Sequence, residues 1–329
     1  MPPVTGITNA VSLAKRRHMR NIAIQAPAGS RIWINIKSFI QQLFQFVGYQ
    51  LIFWGAYTMS LLPLRVLYAI STMVYFLAFH LLKYRYSVVM QNLSRSLPDM
   101  TYAEIDSIVK RFYRHFSRLL AEIIKMGSIS EGEMMRRVRV VNPELPAHYE
   151  SQGRSIILMM GHYGNWECMN ILPKHFKAPM MAVYKPLSSG VFDRLIKHFR
   201  SRFGMQMLPM QQAARYMLQR KDEPTMYIFI ADQSPAPEAK CQLDFMNQES
   251  LMFDGAEKLS KATDAVVIYT ELMPSGDGYW DVRFSLLSDA PSQTSSGEIT
   301  ALFARELEAT ISKAPQYWLW THRRWKHKL

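Results

Sequence analysis

The first 98 residues of this 329-residue chain contain no aspartate or glutamate, although they contain ten lysines and arginines. The formal net charge is +13, so most of the positive excess lies in this first part. Charge of this sign is typical of proteins that bind nucleic acid, anionic membranes or acidic proteins. Residues 1–38 mix proline, glycine, serine and basic residues without apolar periodicity, which predicts a basic, poorly ordered tail.

Cysteine is also scarce. The two cysteines, Cys168 and Cys241, form no C-x-x-C pair and have no metal-binding spacing. This excludes a disulfide framework and a cysteine-based metal centre, and it agrees with a reducing, cytoplasmic environment. "GHYGNWE" lacks the G-x-x-x-x-G-K of a phosphate loop.

Formal charge is absent over the 22 residues from Leu43 to Leu64, and a second apolar run, Val66 to Leu82, follows Arg65. A helix of the first length covers roughly 33 Å, about one bilayer core. With basic residues on both sides, this pattern predicts a membrane anchor over residues 39–85. A buried core helix is the alternative, and the choice between one crossing and a hairpin stays open.

The remaining chain, residues 86–329, predicts an α/β domain. Apolar residues spaced three and four apart from Ile105 to Ile124 predict an amphipathic helix, opened by a Thr101–Glu104 capping box. Short apolar runs then alternate with helical patterns, which is typical of a mainly parallel sheet covered by helices. The predicted strands are 155–160, 179–184, 226–231, 265–271 and 279–286. The predicted later helices are 166–175, 188–203, 211–221, 254–263 and 298–313.

Three predicted strands are followed by polar residues, and ligands gather at strand ends in open α/β sheets. His162 follows the first strand, and Glu167 lies five residues on, beyond two glycines that allow a tight turn. A carboxylate bonded to one imidazole nitrogen would leave the other free to take a proton, so we predict a general base in His162 and its partner in Glu167. A purely structural pair is the alternative, and the spacing does not suit a metal site. An external hydroxyl is the simplest proton donor to His162.

Further polar residues follow the next strands and are candidates for substrate contacts or catalysis. Cations in this region could stabilise an oxyanion or clamp a phosphate, or they could only form a solvated helix face. An aspartate at a strand end could position a hydroxyl or only shape a turn. The candidates are Asn165, Tyr184, Lys185, Arg200, Arg202, Asp232 and Gln233.

The carboxyl-terminal stretch "PQYWLWTHRRWKHKL" interleaves aromatic and basic residues. This pattern is used for single-stranded nucleic acid and also at membrane interfaces. Because the same chain contains a predicted anchor, we favour the membrane interface and predict no nucleic-acid partner.

Six stretches, taken in their order, resemble the bacterial lipid A biosynthesis acyltransferases. They are "LLPLRVLYAIS", "VVMQNLSRSLPDMTYAEI", "GHYGNWE", "VYKPLSSGVFDRLIKHFRSRFG", "ADQSP" and "PQYWLWTHRRWK". The resemblance implies an enzyme of the bacterial inner membrane that faces the cytoplasm. It would move a fatty acyl chain from acyl carrier protein to a hydroxyl of a phosphorylated lipid acceptor, without metal or cofactor.

Carried over by motif, the resemblance implies His162 as base, Glu167 as its charge partner, and Arg200 and Asp232 as further catalytic residues. The chain departs from the family pattern at Lys185, where arginine is frequent, and in "DFMNQESLMFDGAEKLSKAT". In the family the corresponding segment often helps to shape the acyl tunnel, so the resemblance does not imply an acyl chain length. Two alternatives remain: transfer to a lysophospholipid, aminolipid or glycolipid, and a non-catalytic protein that binds membrane surfaces.

Overall fold

The computed structural model describes residues 46–235 and 239–326. The predicted basic tail lies outside the described residues. Contacts divide the chain into two units, Met1–Trp54 and Gly55–Leu329, and the described part of the first is helical.

Two apolar helices open the described chain. Helix α1 covers 46–61, and α2 covers Leu64–Phe76 and continues as a π-helix over Leu77–Leu81. The 18 residues Leu64–Leu81 have a mean hydropathy of 1.5, and 11% of them are buried. By length and composition this stretch could cross a membrane.

Two more helices lead into the sheet, α3 (Tyr86–Ser96) and α4 (Tyr102–Lys125). The predicted amphipathic helix is α4, and its capping box is confirmed. The Thr101 side chain accepts from the Glu104 backbone N–H, and the Glu104 carboxylate accepts from the Thr101 backbone N–H at 2.7 Å. These bonds satisfy backbone donors that have no partner inside the helix.

A seven-stranded sheet forms the centre of the α/β domain, and a two-stranded sheet lies beside it. The strands of the large sheet are β1 (Val138–Val140), β2 (Ile156–Met160), β3 (Met180–Tyr184), β4 (Gln206–Pro209), β5 (Met226–Ile230), β8 (Val266–Gly276) and β9 (Tyr279–Ser288). The small sheet pairs β6 (Gln242–Phe245) with β7 (Gln248–Leu251).

The strand order β1-β9-β8-β2-β5-β3-β4 is parallel throughout except for the antiparallel pair β8–β9. The predicted mainly parallel sheet is therefore confirmed, and all five predicted strands belong to it. Its edge strands β1 and β4 were not predicted, because three or four residues are too few to establish an alternating pattern. The β6–β7 hairpin lies in the stretch that departs from the family pattern, and its turn residues Met246 and Asn247 both have positive φ.

Helices cover both faces of the sheet. They are α5 (Glu131–Arg137), α6 (Glu144–Ser151), α7 (Gly190–Arg200), α8 (Met210–Gln219), α9 (Gly255–Thr263) and α10 (Glu298–Lys313). The stretch predicted as a helix over 166–175 is a 3-10 helix, Trp166–Lys174, with Pro173 inside it.

Side chains of the central strands alternate between two separate cores. Ile157 and Met159 of β2 pack into one core, whereas Ile156, Leu158 and Met160 pack into the other. All five are buried, as expected for a strand covered on both faces. This packing holds the carboxyl end of β2, from which the next loop begins, in a fixed position.

Candidate active site

His162 and Asp232 lie side by side because their strands are neighbours in register. Met160, the last residue of β2, is paired with Ile230, the last residue of β5. His162 and Asp232 each follow two residues later, so both reach the same edge of the sheet. This edge is where ligand sites form in parallel sheets.

The Asp232 carboxylate accepts three hydrogen bonds. His162 donates to it twice, from Nδ1 at 2.6 Å and from the backbone N–H at 2.7 Å, and the Trp318 indole N–H donates at 2.7 Å. Asp232 is 2% exposed. Burial by itself would raise the pKa of its carboxyl group, but the adjacent His162 ring and the N–H donors outweigh burial and hold that pKa below its ordinary value.

This arrangement decides which imidazole nitrogen can act as a base. Because Nδ1 of His162 faces an ionised carboxylate, the ring proton belongs on Nδ1 and the lone pair belongs on Nε2. Gln233 Nε2 lies 3.4 Å from that nitrogen, and the Trp166 ring stands edge-on to the imidazole with centroids 5.0 Å apart. The His162 side chain is 18% exposed, so the site remains open to a substrate.

Glu167 does not pair with His162, so this part of the prediction is wrong. Its carboxylate binds Arg200 of α7 through both oxygens, at 2.6 Å to Nε and 2.5 Å to Nη2. The Trp166 indole N–H also donates to it, at 3.2 Å. A guanidinium that binds through two nitrogens is a strong, geometrically matched partner for a buried carboxylate.

The other predicted residues occupy different surroundings. The Asn165 amide donates to Glu122 of α4 at 2.7 Å. Tyr184 lies beside the Lys197 ammonium, and Lys185 is exposed just beyond β3. Arg202 donates to the Met126 carbonyl at the end of α4, and burial lowers the pKa of its guanidinium. The structure thus joins His162, Asp232 and Gln233 directly, and it places Glu167 and Arg200 as a second pair.

The turn that carries His162, residues 161–165, is held by the carboxyl-terminal segment, residues 317–324. The Gly164 N–H donates to the Tyr317 carbonyl at 2.9 Å, and the Leu319 N–H donates to the His162 carbonyl at 3.1 Å. Gly164 has a φ of +63°, and a Cβ there would lie 2.6 Å from the Trp280 ring. Both its backbone conformation and the lack of space require glycine at this position.

The prediction that the carboxyl-terminal aromatics lie at a membrane interface is wrong for two of the tryptophans. Trp318 and Trp320 are buried in the core, and the Trp320 N–H donates to the Pro315 carbonyl at 2.6 Å. Trp325 is partly buried, and its N–H donates to the Ser250 hydroxyl at 2.7 Å. These rings fill space beside the β6–β7 hairpin, where Phe245 contacts Trp318 and Trp325.

Sequence reasoning missed Trp318 and His322 as residues of this site. His322 Nε2 accepts the Ser234 backbone N–H at 3.3 Å, so it holds the loop that carries Asp232. Burial lowers the pKa of His322 to about 4, which keeps its ring neutral. Within 46–235 and 239–326, no three histidine, cysteine, aspartate or glutamate side chains are grouped to hold a metal ion.

Comparison with known proteins identifies the family. Residues 40–327 match the model of the bacterial lipid A biosynthesis acyltransferases. The chain belongs to this family. A lipid A biosynthesis acyltransferase of Haemophilus influenzae is 22% identical over 235 residues, covering 70% of this chain and 72% of that protein. A lipid A biosynthesis lauroyltransferase of Escherichia coli is 24% identical over 270 residues, covering 80% and 87%. A phosphatidylinositol mannoside acyltransferase of Mycolicibacterium smegmatis is 22% identical over 226 residues, covering 67% and 73%.

The hydrogen bond from Trp318 gives a test of how this acyltransferase family member holds Asp232. We expect Trp318→Phe to slow acyl transfer roughly tenfold, because a bond to a charged group contributes about 1.5–3 kcal/mol and its loss frees the carboxylate to shift. The measurement is the initial rate of acyl transfer. Trp325→Phe is the matched control, since it removes an indole N–H that donates to a neutral hydroxyl, and equal rates in the two variants would contradict the expectation.

Proposed function

We propose that this chain is a membrane-bound enzyme that transfers a fatty acyl chain from acyl carrier protein to a hydroxyl of a lipid A precursor. The reaction would take place at the bacterial inner membrane, with the catalytic domain on the cytoplasmic side. The observation that carries the proposal is His162, held by Asp232 at the edge of the sheet in a member of an acyltransferase family.

In the proposed reaction His162 Nε2 removes the proton of the acceptor hydroxyl as its oxygen attacks the thioester carbonyl carbon. The imidazolium formed is stabilised by Asp232. The tetrahedral intermediate then collapses, the C–S bond breaks, and the imidazolium returns its proton to the leaving thiolate. The products are the lipid ester and the free carrier thiol, so atoms and charge balance.

Direct transfer without an acyl-enzyme agrees with the chemistry of the nearest cysteine. Cys168 is 2% exposed, and burial raises the pKa of its thiol well above the ordinary value. A thiol in this state is a poor nucleophile. The attacking group is therefore proposed to be the acceptor hydroxyl.

The proposed roles of the cations follow from their positions. Glu167 occupies Nε and Nη2 of Arg200, so Nη1 is the nitrogen left for an anion, and the Arg200 side chain is 25% exposed. We assign Arg200 to the oxyanion or to an acceptor phosphate near it. Lys185, Arg202, Tyr184 and Gln233 are assigned to substrate contacts, whereas Asn165, which is 4% exposed and bound to Glu122, is assigned to holding the His162 turn.

Two features support the proposed membrane attachment and the proposed use of an acyl carrier protein: an exposed apolar helix and a positive net charge. The apolar stretch Leu64–Leu81 exposes large side chains, among them Met73, Phe76 and Leu81. The net charge of +13 favours contact with anionic lipid and with an acidic carrier protein.

A second candidate acceptor is a different membrane lipid. The mycobacterial relative named for phosphatidylinositol mannoside aligns about as well as the Haemophilus protein, so similarity at this level does not select a lipid A precursor over another lipid. A lysophospholipid, an aminolipid or a glycolipid would use the same base and the same thioester.

The test is transfer of a labelled acyl chain from acyl carrier protein in detergent, offered separately to a tetra-acylated lipid A precursor and to each alternative lipid. Saturable transfer to the lipid A precursor alone supports the proposal. Saturable transfer to another lipid would identify that lipid as the acceptor, and the proposed acyl-transfer reaction would stand. Unchanged cellular function after His162→Ala would instead support a non-catalytic membrane-binding protein.

A further inference from the structure

Helix α4 packs against the turn that carries His162. His115 and Glu122 lie seven residues apart on α4, so they share one face of the helix. The His115 ring hydrogen-bonds the backbone of Gly164, and Glu122 binds the side chain of Asn165. Burial lowers the pKa of His115 to about 4, so the His115 ring stays neutral.

Glu122 is a partly buried acceptor shared by three donors from different parts of the chain. Its Oε2 accepts from Asn165 Nδ2 at 2.7 Å and from the Trp280 indole N–H at 3.2 Å, and its Oε1 accepts from the Tyr68 hydroxyl at 2.9 Å. Burial raises the pKa of this carboxyl group, and the three donors oppose the rise. A partly buried carboxylate that accepts from three donors fixes the positions of all three.

Asn165 depends on Glu122 for its orientation. It is 4% exposed, and its amide oxygen has no hydrogen-bond partner among the residues that the structure describes. The bond from Nδ2 to Glu122 is therefore the side-chain contact that sets the amide. Asn165 lies three residues after His162, so a shift of this side chain moves the turn itself.

The same end of α4 also holds the apolar helices. Tyr68 belongs to α2, and the Lys125 ammonium, one turn after Glu122, donates to the carbonyls of Ser60 and Leu62 at 2.8 and 3.0 Å. Ser60 and Leu62 lie where α1 ends, just before α2 begins. Both helix α2 and the connection before it are thus attached to the helix that supports the His162 turn.

We propose that Glu122 is a positioning residue that couples the seating of apolar helix α2, through Tyr68, to the placement of the His162 turn, through Asn165. The inference rests on the proposed function, because it assigns importance to where His162 stands. Under this proposal helix α2 influences the catalytic rate, in addition to any role in membrane attachment. The physical reason is that a misplacement of about 1 Å at a reacting group can lower a rate by about 100-fold.

The experiment compares Tyr68→Phe, Glu122→Gln and their double variant in the full chain, with release of the carrier thiol in the presence of total membrane lipid as the readout. We expect Tyr68→Phe and Glu122→Gln each to lower kcat roughly tenfold with little change in KM, because each change breaks the connection from Tyr68 through Glu122 to Asn165. The double variant should be no slower than Glu122→Gln, because both changes break one connection. Thr72→Val is the matched control, since it removes an exposed hydroxyl of the same helix that bonds only to the Tyr68 carbonyl.

Two outcomes would overturn the inference: wild-type kcat in Tyr68→Phe, or losses that multiply in the double variant. Melting temperatures of all variants separate loss of fold from loss of rate. His162→Ala distinguishes this inference from the proposed function. If His162→Ala is inactive while Tyr68→Phe and Glu122→Gln match wild type, only the coupling fails; if His162→Ala matches wild type, the proposed base fails.

Discussion

Replacing His162 by alanine is expected to lower acyl transfer by about 10³-fold or more while leaving the fold intact, because it removes the proposed general base. Asp232→Asn should lower transfer by about 10²–10³-fold, since an amide no longer stabilises the imidazolium and can hold the ring in the wrong tautomer. Both rates are measured with labelled acyl carrier protein and saturating acceptor.

Matched controls separate chemistry from general damage. His148→Ala removes an exposed imidazole of α6, and Asp277→Asn neutralises a carboxylate that is 76% exposed. Both should transfer at the wild-type rate. If Asp232→Asn also matched wild type while Glu167→Gln was inactive, Glu167 would be the functional partner of His162 despite its contact with Arg200.

Much of the fold could be predicted because local patterns determine it. The central strands are continuous apolar runs, and the amphipathic pattern of α4 has a capping box at its start, so neither depends on distant contacts. The edge strands β1 and β4 were missed because each is short and becomes a strand only by pairing, with β9 and β3 respectively. Pairing across the chain has no local signal.

In the candidate site, too, local sequence patterns predicted some features, and contacts between distant residues determined the others. His162 could be predicted from its glycine-flanked position after an apolar run, but its partner could not be predicted from spacing. Asp232 is 70 residues away from His162, and only the register of β2 with β5 brings the two together. Glu167 is near in sequence, yet its carboxylate binds Arg200, 33 residues further along the chain, and no local pattern signalled that contact.

The carboxyl-terminal aromatics were misassigned for a related reason. Interleaved aromatic and basic residues have the same sequence pattern on a membrane surface and in a core beside a polar site. Burial decides between the two, and burial depends on the β6–β7 hairpin and on Asn92, whose amide donates to the carbonyls of Trp320 and His322 at 2.9 Å. The hydrogen bond from the Trp318 N–H to the Asp232 carboxylate had no separate signal in the sequence.

The Glu167–Arg200 pair is expected to matter more for stability than for proton transfer. Glu167→Ala leaves a guanidinium largely buried without its partner, and breaking a buried pair on one side costs about 3–5 kcal/mol. Because Arg200 is 25% exposed, we expect the lower part of this range or less, about 2–3 kcal/mol, and a drop in Tm of roughly 4–10 °C. The measurement is thermal unfolding of the purified chain in detergent.

The double variant decides what the pair does. In Glu167→Ala/Arg200→Ala neither unpaired charge remains, so we expect its loss of stability to be smaller than the sum of the two single losses. Transfer by folded Glu167→Ala should stay within about tenfold to 100-fold of wild type, well above His162→Ala, since Asp232 still orients the base. Arg200→Lys keeps the positive charge but loses the bidentate contact with Glu167. If this variant loses some stability and a larger fraction of its transfer activity, Arg200 is assigned to binding the substrate anion. Equal collapse of transfer in Glu167→Ala and His162→Ala, with unchanged Tm, would overturn this division of roles between the two acidic residues.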